Sequence, residues 1–232
     1  MLTARREAEL ERLADEIARS GRPRPHVIVA DIASESGADA LQRGLAERGL
    51  EVAVLVNNAG FGLLGEAAKL DTGQQLSMID LNVRALTDLT LRFIESVTRH
   101  KGGILNVASI AGFLPGPGMT VYHATKAYAV SFSEALHAEL APKGVKVCAL
   151  CPGPVPTGFL SRAGIPHDYF PRFLARSADR VARAGYSGLM AGKRVVVPGL
   201  PNRALTLLPR FMPVGLIAGA SAWRWRRSAR GP

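Results

Sequence analysis

Short runs of β-branched and aliphatic residues alternate along this chain with amphipathic stretches of helical period, and that alternation leaves few folds open. Residues 6 to 20 (REAELERLADEIARS) put Leu10, Leu13, Ala14 and Ile17 on one face with charges opposite, and Gly21 ends the stretch. HVIVADIA (26 to 33) reads as a strand, residues 35 to 48 as a second amphipathic helix with Leu41 and Leu45 inward, and residues 52 to 58 as a buried strand. A long helix over about 72 to 99, a strand at 103 to 109, a helix from Tyr122 to about Ala141, a strand at 145 to 151 and a last strand from Arg194 to Pro198 continue the series. This is the pattern of a doubly wound α/β fold, a Rossmann-like parallel sheet between two helical layers. At 232 residues the chain is one domain of ordinary size, able to bury about 70% of its unfolded surface without disulfides.

The chemistry concentrates in residues 102 to 128, GGILNVASIAGFLPGPGMTVYHATKAY, where a β-rich run ends at Ser109 and a helix opens around Tyr122. Tyr122 and Lys126, four residues apart, share a helix face. An ammonium beside a phenol favours the phenolate, so Lys126 is expected to draw the Tyr122 pKa down from about 10 toward working pH. Such a phenol suits a reductase. Hydride delivered to a carbonyl carbon leaves charge on oxygen, which needs a proton donor and a second hydrogen bond, the latter available from the Ser109 hydroxyl.

Tyr-x-x-x-Lys alone is weak, and its company strengthens it. VAVLVNNAG (52 to 60) runs a strand into Asn57-Asn58-Ala59-Gly60, Asn82 follows in IDLNV, and VKVCAL leads into Cys151-Pro152-Gly153. In order and spacing, from about Thr3 to Arg203, the chain resembles the short-chain dehydrogenase/reductase family, and most the bacterial NADP-dependent branch whose second strand ends in Ala-Arg-Arg, here Ala4-Arg5-Arg6. The resemblance implies an oxidoreductase that interconverts a carbonyl and an alcohol. Tyr122 would be the acid/base, Lys126 would tune it and hold the nicotinamide ribose, Ser109 would orient the substrate oxygen, and Asn82 would hold a water that links Lys126 to solvent. It implies that Asn58, Ala59 and Gly60 line the adenosine side of the cofactor, that Asp31 and Ile32 lie beside the adenine, and that Pro152, Gly153, Val155 and Thr157 hold the nicotinamide carboxamide. For the Asp31 side chain a helix N-cap reading stands equally open. Arg5 and Arg6, with no acid before Glu7, fit a 2′-phosphate and favour NADP over NAD. Residues 158 to 192 fall where the family carries its variable substrate lid. Phe159, Leu160, Ile165, Tyr169, Phe170, Phe173 and Leu174 there point to a hydrophobic substrate, or to a helical pair packed on the core.

The front of the pattern is incomplete. No G-x-x-x-G-x-G segment occurs, and the chain begins near the end of what would be the second strand, so the first strand and helix are expected to be missing from residues 1 to 232. A longer product carrying that unit is expected; the alternative is an inactive homologue that acts as a binding or scaffold protein. Losing a central strand leaves two neighbours with unpaired backbone edges.

The remaining features exclude more than they assign. Cys148 and Cys151, three apart in a strand, point to opposite faces and read as core thiols rather than a metal pair. His123, His137 and His167 share no ligand spacing, and no metal is assigned. Two cysteines, no secretory leader pattern and no apolar run of about 18 residues predict a cytoplasmic protein. The net charge of +10 comes wholly from residues 180 to 232, which carry ten basic and no acidic side chains. No nucleic-acid motif accompanies those arginines, so nucleic acid is not expected as a partner. Residues 204 to 232 form an apolar and basic tail beyond the domain of residues 1 to 203, in which Trp223 and Trp225 alternate with Arg224, Arg226 and Arg227. It reads either as a segment folded over the substrate pocket or a partner subunit, or as a peripheral membrane contact. The helix after Tyr122 has small and apolar residues on more than one face, which predicts a homo-oligomer, a dimer or a tetramer.

Overall fold

The computed structural model describes residues 1–166 and 169–229, so His167 and the end of the tail fall outside it. Among the described residues six strands carry the fold: β1 (Leu2–Ala4), β2 (Val27–Val29), β3 (Val54–Asn57), β4 (Gly103–Val107), β5 (Lys146–Leu150) and β6 (Val195–Val196). Between and after them run α1 (Glu7–Arg19), α2 (Glu35–Ala46), α3 (Thr72–Ile79), α4 (Leu86–Arg99), α5 (Thr120–Leu140), α6 (Gly158–Arg162), α7 (Ala178–Met190), α8 (Leu200–Phe211) and α9 (Val214–Ala229). Every strand pair is parallel, and helices cover both faces, the doubly wound arrangement predicted from the alternation.

The central strands are apolar on both faces, as a doubly covered parallel sheet requires. Ile104 and Val147 turn to α4 and α5, where they meet Val97, Leu136 and Leu140. Leu105, Cys148 and Leu150 turn the other way, to Val181 and Leu189 of α7. Cys151 falls back on the first side, beside Leu86 and Ala129. The two free thiols therefore lie on opposite faces, and burial lifts Cys148 to about 11 and Cys151 to about 12. Ser34, Asp71 and Ser177 start α2, α3 and α7 by accepting hydrogen bonds from Gly37, Gln74 and Arg180 amides.

The sheet is in two pieces. β1 pairs with β2, and β3, β4, β5 and β6 form a second sheet in that order, so one backbone edge of β1 and one of β3 have no partner among the described residues. The break falls where the sequence predicts an absent central strand. Leu55 of β3 is packed inward, while Val54 and Val56 are 46% and 53% exposed. Side chains join the pieces: Ile28, Leu41 and Leu45 pack on Leu89 and Phe93, and Arg92 reaches Asp39 at 2.7 Å.

Some predicted boundaries shift for physical reasons. β2 and β6 are shorter than the runs that contain them, because each is paired only along its short match with β1 or β5. Leu13, expected inward with Leu10 and Ala14, is exposed. The helix expected over 72 to 99 is α3, one π-helical turn at Asp80–Ala85, and α4. The expected lid is shorter too, since α7 packs its Val181 and Leu189 on the sheet as a core helix.

Candidate active site

Ser109 closes β4 and opens a single 3-10 turn, Ile110–Phe113. Its hydroxyl accepts from the Ala111 amide at 3.2 Å and donates to the Pro152 carbonyl at 3.4 Å, so the end of β4 and the loop after β5 fix its position together. Tyr122 and Lys126 lie on one face of the first turns of α5, and the Ser109 hydroxyl acts on the Tyr122 phenol to favour its ionised form. The Lys126 ammonium donates to the Val107 carbonyl at 2.8 Å and lies 5.8 Å from the centre of the Tyr122 ring.

Asn82 joins them from the π turn, a wide turn of the kind that recurs at functional sites. Its amide donates to the Phe61 carbonyl and the Thr125 hydroxyl, both at 3.0 Å, and its oxygen accepts from the Phe61 amide at 3.1 Å. Thr125 in turn donates to the Tyr122 carbonyl at 2.8 Å. A Cβ on Gly60 would lie 2.9 Å from the Asn82 oxygen and 3.5 Å from the Lys126 nitrogen, so only glycine lets the chain pass there. All four residues singled out for catalysis are buried and within reach of one another. Thr125, which bridges Asn82 to α5, was not among them; its hydroxyl, three residues after Tyr122, is the sequence signal.

The electrostatics correct one expectation. Burial pushes the Tyr122 phenol up to about 12, and the Ser109 hydroxyl opposes this only in part. Burial likewise pulls the Lys126 ammonium down to about 8. Lys126 therefore does not lower the phenol in this structure: its ammonium is spent on Val107, and low polarity favours the neutral form of both groups. At neutral pH Tyr122 is a phenol that can donate a proton.

A pH effect on stability follows. Below about pH 8 the folded and unfolded chains both carry the Lys126 ammonium; from there to 10.5 the folded chain has lost the proton and the unfolded chain has kept it, so this group's contribution to stability rises with pH. Lys126→Met should remove a rise of about 3 kcal/mol across that window, measured as the wild-type minus variant difference in urea unfolding. Parallel curves for the two proteins would mean that Lys126 does not titrate there.

Around the hydroxyl the walls are apolar. Phe159 lies 5.4 Å from the Tyr122 ring centre, and Phe61, Met119, Ile165, Leu160, Tyr169 and Phe170 complete the cluster. Five of the seven predicted lid residues are here. Phe173 is instead 64% exposed, and the Leu174 carbonyl turns away to accept from Asn202 at 3.1 Å.

The candidate cofactor residues line the carboxyl ends of the strands, where open α/β sheets bind ligands. Arg5 leaves β1 and meets Asp31, just past β2, at 3.7 Å with both side chains about half exposed, and Arg6 lies exposed at the start of α1. Ile32 packs against the joint between the two sheets. Asn58, Ala59 and Gly60 follow β3 directly. Pro152 accepts from the Ile110 amide at 3.0 Å, Val155 packs beside Leu150, and Thr157 caps α6 through the Phe159 amide. Gly153 abuts Asn202, fully buried, whose amide donates to Leu174 and Pro198 and whose oxygen has no partner. A separate cavity of about 370 Å³ runs along β2 between Glu7, Arg43 and Glu47 and has no part in this cluster.

The sequence reading also missed a buried polar chain beneath the site. Asn57 donates to Thr90 at 3.0 Å and to Asn106 at 2.9 Å, and Asn106 donates to Ser133 at 2.9 Å. Asn57 and Asn106 are register partners of β3 and β4.

Comparison with known proteins accords with this geometry. The short chain dehydrogenase family model matches residues 1–165. Sulfoacetaldehyde reductase 2 of Chromohalobacter salexigens is 36% identical over 168 residues, 71% of this chain and 66% of that one. A short-chain dehydrogenase from Sphingobium yanoikuyae in complex with NADPH superposes with a TM-score of 0.78 at 28% identity, covering 91% of this chain and 85% of that one. A 3-ketoacyl-(acyl-carrier-protein) reductase from Brucella melitensis complexed with NADH gives 0.73 at 29% identity, covering 85% and 84%. Against curated relatives the chain spans between 50% and 66% of their length.

Proposed function

Since the chain belongs to the short-chain dehydrogenase family, we propose that it is an NADP-dependent oxidoreductase interconverting a carbonyl and an alcohol, with Tyr122 as the acid/base. The observation that carries this reading is the burial together of Tyr122, Ser109, Lys126 and Asn82, with the Tyr122 ring in an apolar box. The residues present fit the two ends of a dinucleotide. The Asn202 oxygen beside Gly153 is a buried acceptor without a partner among the described residues, and Arg5 keeps guanidinium donors exposed beside Asp31.

A nicotinamide dinucleotide supplies hydride when bound. Ser109 and Tyr122 both present hydroxyls to the substrate oxygen, and Tyr122, a phenol at neutral pH, donates its proton as charge develops there. Asn82 and Thr125 hold the first turn of α5 in position. Lys126 supplies the nearby positive charge below about pH 8, and a water between it and Asn82 would return the proton from solvent. Phe159, Phe61 and Met119 exclude bulk water and favour a hydrophobic substrate.

Arg5 and Arg6 would meet the 2′-phosphate. Arg5→Glu with Arg6→Glu should weaken NADPH binding by about 10- to 100-fold while NADH binding changes little, read by fluorescence titration of the purified protein. Equal losses for both nucleotides would reject the phosphate role. The second reading, an inactive homologue serving as a binding or scaffold protein, draws on the interrupted sheet. A folded product that binds neither nucleotide would favour it.

A further inference from the structure

The solvent face of the last two helices is apolar where it should be polar. Leu200, Leu207 and Phe211, at helical spacing along α8, are all exposed, Leu200 by 77% and Phe211 by 82%. Met212, Val214 and Leu216 continue the exposed apolar run through the turn into α9. On α9, Leu216, Ala220, Trp223 and Arg227 share one exposed stripe, and the Arg227 guanidinium lies over the Trp223 ring at 4.6 Å. These side chains are not core residues awaiting burial against the body. The opposite face of α9 already does that: Ile217 is buried and the Trp225 ring lies against Gly118.

Charge identifies the occupant. Exposed Arg203, Arg210, Arg226 and Arg227 flank the apolar stripe, and no acidic residue occurs after Asp179. A second copy of this surface would bring arginine against arginine. A bilayer with anionic headgroups meets both demands, taking leucine, phenylalanine and tryptophan at its interface and arginine against phosphate. None of the described helices is long and apolar enough to cross a membrane, so the pair would lie on the surface.

We propose that the outer face of α8 and α9 is a docking surface for an anionic phospholipid bilayer, with Leu207, Phe211, Leu216 and Trp223 entering the interface. This assignment is independent of the catalytic reading. Because Gly118 opens the turn that leads into Tyr122, docking would bring the apolar pocket close to the membrane.

The test is flotation of the full chain with vesicles of equal parts phosphatidylcholine and phosphatidylglycerol, against phosphatidylcholine alone. Bound fraction should be at least about tenfold greater on the anionic vesicles and should fall with added salt. Phe211→Glu with Leu216→Glu, at positions 82% and 61% exposed, should abolish flotation with an unchanged thermal unfolding curve. Arg226→Glu with Arg227→Glu should remove the preference for anionic lipid. Failure of the wild type to float, or equal flotation of the Phe211 and Leu216 variant, overturns the proposal. So does a fall in the mass of that variant by light scattering, which would make the face a contact between copies.

Discussion

Tyr122→Phe is expected to lower kcat by roughly 10²–10⁴-fold while nucleotide affinity and melting temperature hardly move. The phenylalanine ring keeps the contact with Phe159 and the apolar packing around it, so only the hydroxyl is lost. Because burial holds the phenol near 12, the group stays protonated throughout the neutral range, and the loss in the reductive direction should be flat with pH there. Steady-state reduction of a panel of apolar ketones with NADPH measures it, with nucleotide titration as the control for folding. Equal rates in the two proteins would remove Tyr122 from the chemistry.

The largest effect on stability is expected from the polar chain under the site. Asn106→Leu keeps the branched outline with bulkier methyl ends, and takes from Asn57 one of its two amide acceptors and from the Ser133 hydroxyl its donor, both buried. Losing those two bonds in a packed, water-free site costs on the order of 2–4 kcal/mol. Asn57→Leu with Asn106→Leu removes both members of the cross-strand pair and should cost less than the sum of the single changes. Urea unfolding of the four proteins checks this. Strict additivity would mean that the two asparagines act independently.

Much of the site was legible because it is written in local spacing. Tyr122 and Lys126 share a helix face by arithmetic, and Ser109 and Asn57 to Gly60 end apolar runs whose period marks them as strands. What escaped depends on distant partners. Asn106 is an ordinary polar interruption in ILNVAS until the register puts it opposite Asn57. The direction of the Tyr122 pKa turned on how deeply Phe159 and its neighbours bury the ring, which no spacing reveals. Leu13 and Phe173 read as core by character and lie exposed. The tail's composition was plain, but Pro209 and Pro213 masked two helices whose outward faces carry its apolar residues.

The division of the sheet bears on how the molecule comes apart. Cooperativity travels along a sheet through its ladder, and among the described residues no ladder bond joins β1 and β2 to β3. There the two parts meet through side chains, among them Ile28, Leu41 and Leu45 against Leu89 and Phe93, Arg92 with Asp39 and Gln42, and an Arg84 bond to the Ala33 carbonyl. Within the described residues, separating residues 1 to 50 from the rest would break side-chain contacts and none of the backbone bonds of β3 to β6. Arg5 and Asp31, the adenosine end of the proposed nucleotide site, belong to the first of these parts, whereas Ser109, Tyr122 and Lys126 belong to the second.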